Sequence, residues 1–192
     1  MDVAPLINYI RQYVTLSDKD ISYLMSKITF RKYLKGQFII QQGDVCHSQS
    51  FVTKGCAKKY FIDNYCQEHV ILFLVENWWA SDLESFINNK PSIYNVQCLE
   101  ATEVLQIHQN NIEDVFENVP QMERFFRKIV ERAYIAFQKR VIRNFSLSGK
   151  EKYLAFKSMY PLIEQRVPQY LVASYLGITK EFLSKIKRQL SQ

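Results

Sequence analysis

Six residues near the C-terminus have the types and spacing to bind a polyanion. Thr179, Lys180, Glu181, Ser184, Lys185 and Arg188 are interleaved with Phe182, Leu183, Ile186 and Leu190. At 3.6 residues per turn the polar set shares one side of a helix and the apolar set the other. Thr179 and Lys180 would stand at that helix's N-terminus, where phosphate is favoured by the free N–H groups and the helix dipole. Glu181, Ser184 and Lys185 suit base edges, and Arg188 suits phosphate or guanine. Gln169, a few residues upstream, joins the set. Catalysis has no comparable case: there is no nucleophile–base pair, metal motif or phosphate-cradling glycine loop, so an enzyme is not expected.

For these groups to act together they need a rigid support, and the stretch Val167–Leu190 supplies one. Pro168 suits the N1 position of a first helix containing Val172, Ala173 and Leu176. Gly177 permits a left-handed residue at its end, Ile178 can plug the angle, and Thr179 can cap a second helix. Two short helices joined by a glycine-containing turn make a helix-turn-helix, whose second helix enters the major groove of DNA. An ordinary helical hairpin shares the bare pattern, so charge is a second line of argument. The net charge is +6. Residues 1–110 hold 10 Lys/Arg against 11 Asp/Glu, while residues 111–192 hold 15 against 8. The excess positive charge therefore lies with the helical pair, which favours double-stranded DNA as partner.

The chain upstream divides by texture. Residues 2–28 read as two helices, through Leu6, Ile7, Ile10 and Val14 and then Ile21, Leu24, Met25 and Ile28, with Ser17 or Asp18 as cap. From Phe30 to Ile107 short apolar alternations are punctuated by Lys35-Gly36, Gly43-Asp44, Lys54-Gly55 and Asp63-Asn64, which predicts a closed or sandwiched β domain. Trp78–Phe86 breaks the alternation and reads as a short helix. Asn110 or Asn111 caps another short helix, which Pro120 interrupts.

Residues 121–145 form the longest helical pattern. Met122, Phe125, Ile129, Ala133 and Ala136 lie on one stripe; Phe126, Val130, Tyr134, Phe137, Val141 and Phe145 lie on a second. Together they span about 200°, wider than one buried face requires. The reading is a parallel helix pair across a two-fold axis, with Met122, Phe125, Phe126, Ile129, Ala133, Ala136 and Phe137 at the dimer interface. A central helix buried between two domains of a monomer would show the same breadth. Asn144–Lys150 is the expected hinge, and Glu151–Tyr160 another helix. The expected division is a sensor domain over residues 1–118, a dimerisation helix over 119–145 and a DNA-binding domain over 146–192.

Composition is globular, with 47% apolar residues. No 18-residue apolar run is present, and the N-terminus lacks the pattern of a secretory signal, so the expectation is a cytoplasmic protein with no membrane partner. Cys46, Cys56, Cys66 and Cys98 include no C-x-x-C pair and are expected as reduced thiols. Cys46-His47 and Cys66-x-x-His69 lack the second pair of ligands a zinc site needs, so no metal is expected.

This order of elements resembles the Crp–Fnr family of bacterial transcription regulators over essentially the whole chain. Residues 35–44 (KGQFIIQQGD) resemble the family's glycine-bounded strand, residues 51–55 (FVTKG) the next strand and its turn, and residues 176–185 (LGITKEFLSK) its turn and recognition helix. The resemblance implies an α+β fold: an N-terminal jelly-roll domain of the cyclic-nucleotide-binding kind, a long dimerisation helix and a C-terminal helix-turn-helix. The usual β-wing after the recognition helix is not expected in full, since two residues follow Leu190. The resemblance implies a homodimer acting on DNA and RNA polymerase, possible control by cyclic AMP or cyclic GMP, and an effector site at Ser81, Asp82, Leu83, Ser92 and Ile93. There the family's Gly-Glu-Leu turn reads Ser-Asp-Leu, and its phosphate-binding arginine is replaced by Ser92. Loss of that bidentate contact costs about 2–5 kcal/mol, which argues against both cyclic nucleotides. A sensor signalling through protein partners is the alternative. The family's N-terminal cysteine cluster for an iron–sulfur centre has no counterpart before Cys46.

Overall fold

The punctuated apolar runs fold as eight strands: β1 (Ile28–Tyr33), β2 (Phe38–Ile40), β3 (Ser48–Lys54), β4 (Ala57–Ile62), β5 (Glu68–Leu74), β6 (Trp79–Ala80), β7 (Asn95–Cys98) and β8 (Thr102–His108). In the computed structural model, which describes residues 2–190, they form two four-stranded sheets ordered β1-β8-β3-β6 and β2-β7-β4-β5. The strand pairs β1–β8, β8–β3, β3–β6 and β2–β7 are antiparallel. The fold is α+β, an antiparallel β-roll followed by one long helix and further helices, as expected. Residues after Leu190, on which the expectation about a β-wing turns, lie outside the described residues.

Contacts divide the chain into two units. One runs to Lys59 and resumes over Phe73–Arg132; the other comprises Tyr60–Leu72 and the chain from Ala133 onward. In the first unit, α1 (Ala4–Arg11) and α2 (Asp18–Ser26) precede the roll, and Ser17 and Asp20 form a reciprocal capping box at the start of α2. The β3–β8 register places Phe51 beside Leu105 on one face of their sheet, and both are buried. Phe51 meets Tyr9 of α1 and Trp79 of β6 at ring-centroid distances of 5.4 and 5.3 Å.

Several local expectations need correction. Trp78–Phe86 is not one helix. Trp79 and Ala80 pair with Phe51 and Ser50 as β6, because β3 offers unpaired backbone groups there, and Asn77 and Trp78 complete the pairing through Val52. Helix α3 (Leu83–Asn88) starts only after Asp82 caps it. Helix α4 (Gln109–Asn118) is capped by neither asparagine; the His108 Nδ1 accepts the Asn110 N–H at 3.2 Å. Pro120 opens the long helix α5 (Pro120–Ser146) at its first position.

The β3–β4 turn depends on Gly55. Its φ is +102°, and a Cβ there would lie 2.6 Å from the Ala101 carbonyl oxygen and 2.7 Å from the Thr102 Cα. Both are backbone atoms that cannot rotate aside. Gly55→Ala is therefore expected to lower stability by about 3 kcal/mol or more, read as a shift of the urea midpoint. An unchanged midpoint would show that the turn relaxes freely.

Candidate nucleic-acid interface and effector pocket

The second unit continues with α6 (Gly149–Met159), α7 (Ile163–Arg166), α8 (Gln169–Leu176) and α9 (Lys180–Leu190). The expected hinge is shorter than its polar composition suggested. Helix α5 persists through Ser146, and Ser148 already begins a capping box with Glu151, its Oγ 2.7 Å from the carboxylate. The short helix α7 was not anticipated. Pro168 lies just outside α8 with ψ 145°, one position before the N1 place expected of it.

The turn between α8 and α9 is specified residue by residue. Gly177 is left-handed (φ 66°, ψ 35°), its N–H bonds to the Ser174 carbonyl, and the Ile178 N–H reaches back to Ala173. This is the Schellman arrangement, which satisfies carbonyls left open at a helix end. The Thr179 Oγ1 then accepts the Phe182 N–H at 3.2 Å, capping α9. Tyr153 and Phe156 of α6, Leu171, Val172 and Leu176 of α8, and Leu183 and Ile186 of α9 are buried as this unit's core.

The other side of α9 is polar and uncommitted. Lys180, Glu181, Lys185 and Arg188 are exposed, and among the described residues their side chains form no ion pair. At 100° per residue these four and Ser184 span about 140° of the helix surface. Ser184 is half-buried, and its hydroxyl donates to the Lys180 carbonyl at 3.0 Å. Gln169 is exposed at the start of α8, and beside it Tyr170 is a 56%-exposed ring that the sequence reading passed over. Lys187, by contrast, is held inward by Glu164 at 3.0 Å. Burial and the Glu164 carboxylate, which accepts the Tyr153 hydroxyl at 2.9 Å, push that phenol well above its ordinary pKa. Residues 133–192 carry 11 Lys/Arg against three Asp/Glu, and two of those three acids are engaged, Glu151 in a cap and Glu164 with Lys187.

The same unit holds the tip of the β4–β5 hairpin. Ser174 donates to the Glu68 carbonyl at 2.9 Å and accepts the Val70 N–H at 3.1 Å. Arg140 donates to the Ile71 carbonyl and lies 4.3 Å from the Tyr175 ring. These contacts satisfy backbone groups on β5, an edge strand.

Helix α5 separates the interface residues expected of it into two groups. Met122 and Phe125 are completely buried within the first unit and have no surface left for a second copy. Phe125 faces the Tyr9 and Trp79 rings because the first turns of the helix close the β-roll core. Phe126 and Ile129 are half-buried, and Ala133, Ala136 and Phe137 are exposed. The apolar seam that remains open is Val130, Tyr134, Phe137 and Val141, continued by the 88%-exposed Phe145. Ile135 and Ile142 are exposed as well, on neither predicted stripe.

In the first unit, three of the five expected effector residues converge. Asp82, only 4% exposed, caps α3 and accepts the Ser92 hydroxyl at 2.6 Å. The Ser92 Oγ also accepts the Tyr94 N–H at 3.1 Å. Ser81 is joined to the pair through Lys59, whose Nζ donates to the Ser81 carbonyl at 3.0 Å and lies 4.1 Å from the Tyr94 ring. Burial holds the Lys59 amine below its ordinary pKa, opposed by the nearby Asp82 charge. Leu83 and Ile93 are exposed. Lys59 escaped the sequence reading; its only signal was a second consecutive lysine in an otherwise apolar strand. The donor set fits a cyclic phosphate poorly: no guanidinium is present, and Asp82 adds a carboxylate already bonded to its own chain.

The matching family model is the cyclic nucleotide-binding domain, over residues 30–119. No curated protein is significantly similar in sequence. Among solved structures, the fold is similar to that of the c-di-GMP-responsive global regulator CLP of Xanthomonas campestris (12% identity, TM-score 0.72, 91% of this chain and 92% of that one). It is also similar to FixK2 of Bradyrhizobium japonicum (13%, 0.70, 85% and 84%) and to the catabolite activator protein of Thermus thermophilus (15%, 0.58, 93% and 85%). Residues 30–119 thus match a cyclic nucleotide-binding domain, and the chain shares the fold of these three solved proteins. No helix among the described residues is long and apolar enough to cross a membrane.

The role of Asp82 as cap and hydroxyl acceptor has a measurable consequence. Asp82→Ala should cost about 2 kcal/mol of unfolding free energy, because a helix cap is lost and the buried Ser92 hydroxyl loses its acceptor. A loss below about 0.5 kcal/mol would leave the carboxylate free for a ligand.

Proposed function

We propose that this chain, with its cyclic nucleotide-binding domain, is a homodimeric, sequence-specific DNA-binding transcription regulator of the Crp–Fnr type, working in the cytoplasm and acting on RNA polymerase. Residues 1–118 are its sensor domain, 119–145 its dimerisation helix and 146–192 its DNA-binding domain. The carrying observation is the polar side of α9: Lys180, Glu181, Lys185 and Arg188, exposed and unpaired, on a helix whose start is fixed by Gly177 and Thr179. An isolated surface helix gains little from leaving cations unpaired, whereas a reader of phosphates and base edges needs them free. Thr179 and Lys180 are assigned to phosphates, Glu181, Ser184 and Lys185 to base edges, Arg188 to phosphate or guanine, and Gln169 to the same DNA-binding set. In the dimer the two α9 helices would enter successive major grooves about 34 Å apart.

Dimerisation through α5 is supported by spacing. Val130, Tyr134, Phe137 and Val141 follow one another at intervals of four, three and four, the step of a two-helix seam, and all are exposed in the single chain. A second copy would cover them. An effector in the β-roll remains part of the reading, but cyclic AMP is not expected to be it, given Ser92 and the engaged Asp82.

Selection of the purified protein against a pool of random duplexes, with and without cyclic AMP, tests the reading. The expected product is a two-fold-symmetric site enriched equally in both arms. No enrichment in either arm would favour a sensor that signals through protein partners. On the selected site, Lys185→Ala or Arg188→Ala should weaken binding by about 1–3 kcal/mol, and a phosphate contact should also lower the salt slope by about one. Phe137→Asp should convert the dimer to monomer in sedimentation, and a dimer that persists would place the interface off α5.

A further inference from the structure

The β-roll contains a second polar concavity, adjoining the Asp82–Ser92 pair through Asp44, whose carbonyl accepts the Ser92 N–H at 2.8 Å. The register of β3 against β8 places Ser48 opposite His108, Ser50 opposite Gln106 and Val52 opposite Val104, so these six residues share one face of the sheet. At the Val52 end that face is buried and apolar. At the other end it turns polar and lines a cleft of about 360 Å³, closed opposite by Phe38–Ile40 and the following loop to His47. The volume falls within the ordinary range for small-molecule sites, about 300–1,000 Å³.

The lining carries uncommitted polar groups that core packing would not select. Gln106 is 7% exposed, yet among the described residues its carboxamide makes one hydrogen bond of the four it can form, Nε2 to the Ser50 Oγ at 2.7 Å. Arg31 and Asp44 also line the cleft, and their side chains make no hydrogen bond or ion pair among the described residues. The rings of His47 and His108 are stacked, with centroids 5.9 Å apart and planes 16° from parallel. Because the His108 Nδ1 accepts the Asn110 N–H, the proton of its neutral ring resides on Nε2. The charged and titratable side chains around the cleft are thus Arg31, His47, His108, Asp44, Tyr33 and Cys46. One fixed cation and two imidazoles face one carboxylate.

We infer that this cleft binds a small organic oxyanion, a metabolite bearing a carboxylate or phosphate group. Arg31 and the Nε2–H of His108, with the His47 ring stacked beside it, hold the anionic group, and Gln106 and Ser50 bond its polar body.

The experiment is a titration of the full chain with citrate and, separately, with inorganic phosphate, followed by histidine ring NMR signals and calorimetry. The chain has three histidines, so His69 is an internal control. Citrate should shift the ring signals of His47 and His108 but not those of His69. Phosphate alone reproducing the shifts would assign recognition to the oxyanion itself; a response to citrate only would assign it to the carboxylate-bearing body. Arg31→Gln and Gln106→Leu should each weaken binding about tenfold with unchanged circular dichroism, whereas Lys185→Ala should leave it unchanged. Equal shifts of all three histidines, no response at about 10 mM of either probe, or undiminished binding by Arg31→Gln would overturn the assignment.

Discussion

The aromatic cluster formed by Tyr9, Tyr13, Phe51, Trp79 and Phe125 is the constraint on which the rest of the long helix depends. Phe125 is completely buried, with the Tyr9 and Tyr13 rings edge-on to it at 6.0 and 5.5 Å and Trp79 at 6.0 Å. One fully enclosed ring sets the rotational phase of a helix, since every later residue follows at 100° steps. Lys128 and Arg132 reinforce that phase one and two turns on, through the Tyr13 carbonyl at 2.8 Å and its hydroxyl at 3.0 Å. The first turns of the helix, as far as Arg132, are thereby fixed against the β-roll.

Two kinds of polar group are distinguished by whether the chain already uses them. Asp82, Ser92, Ser85 and Lys59 form a closed set, each bonded to another part of the same unit. Lys180, Lys185 and Arg188 form an open set. Electrostatics gives the difference its meaning. A buried carboxylate must find donors internally, because an unpaired one costs more than folding can return. A solvated lysine costs almost nothing and stays available.

The helical pair was legible because its signals are local. Gly177, Ile178 and Thr179 each perform a backbone task that depends on neighbours within five residues, and Leu183 and Ile186 are buried at the helical period as expected. The β-roll was legible through its turns. What failed depended on partners distant in sequence. Trp79 and Ala80 form a strand only because Ser50 and Phe51 lie alongside, and a short apolar run cannot announce that. Met122 and Phe125 sit on a stripe indistinguishable by composition from the seam beyond them; only the placement of Tyr9 and Trp79 decides which is covered. His108 displaced two asparagines as a cap because β8 runs directly into α4. Lys59 gave no periodic signal at all, since its role is defined by a carbonyl 22 residues away.

The hairpin tip over Tyr60–Leu72 makes the molecule indivisible by a single cut. The second unit consists of that tip and everything from Ala133 onward. A fragment starting at the long helix would therefore lack the strand segment whose backbone occupies both bonding positions of the Ser174 hydroxyl and accepts from Arg140. A fragment ending there would retain that strand edge bare, and unpaired edges invite pairing with other chains. Proteolytic domain mapping and fusion design, both of which assume that a helical tail can be detached at a linker, would therefore yield two incomplete pieces from this chain.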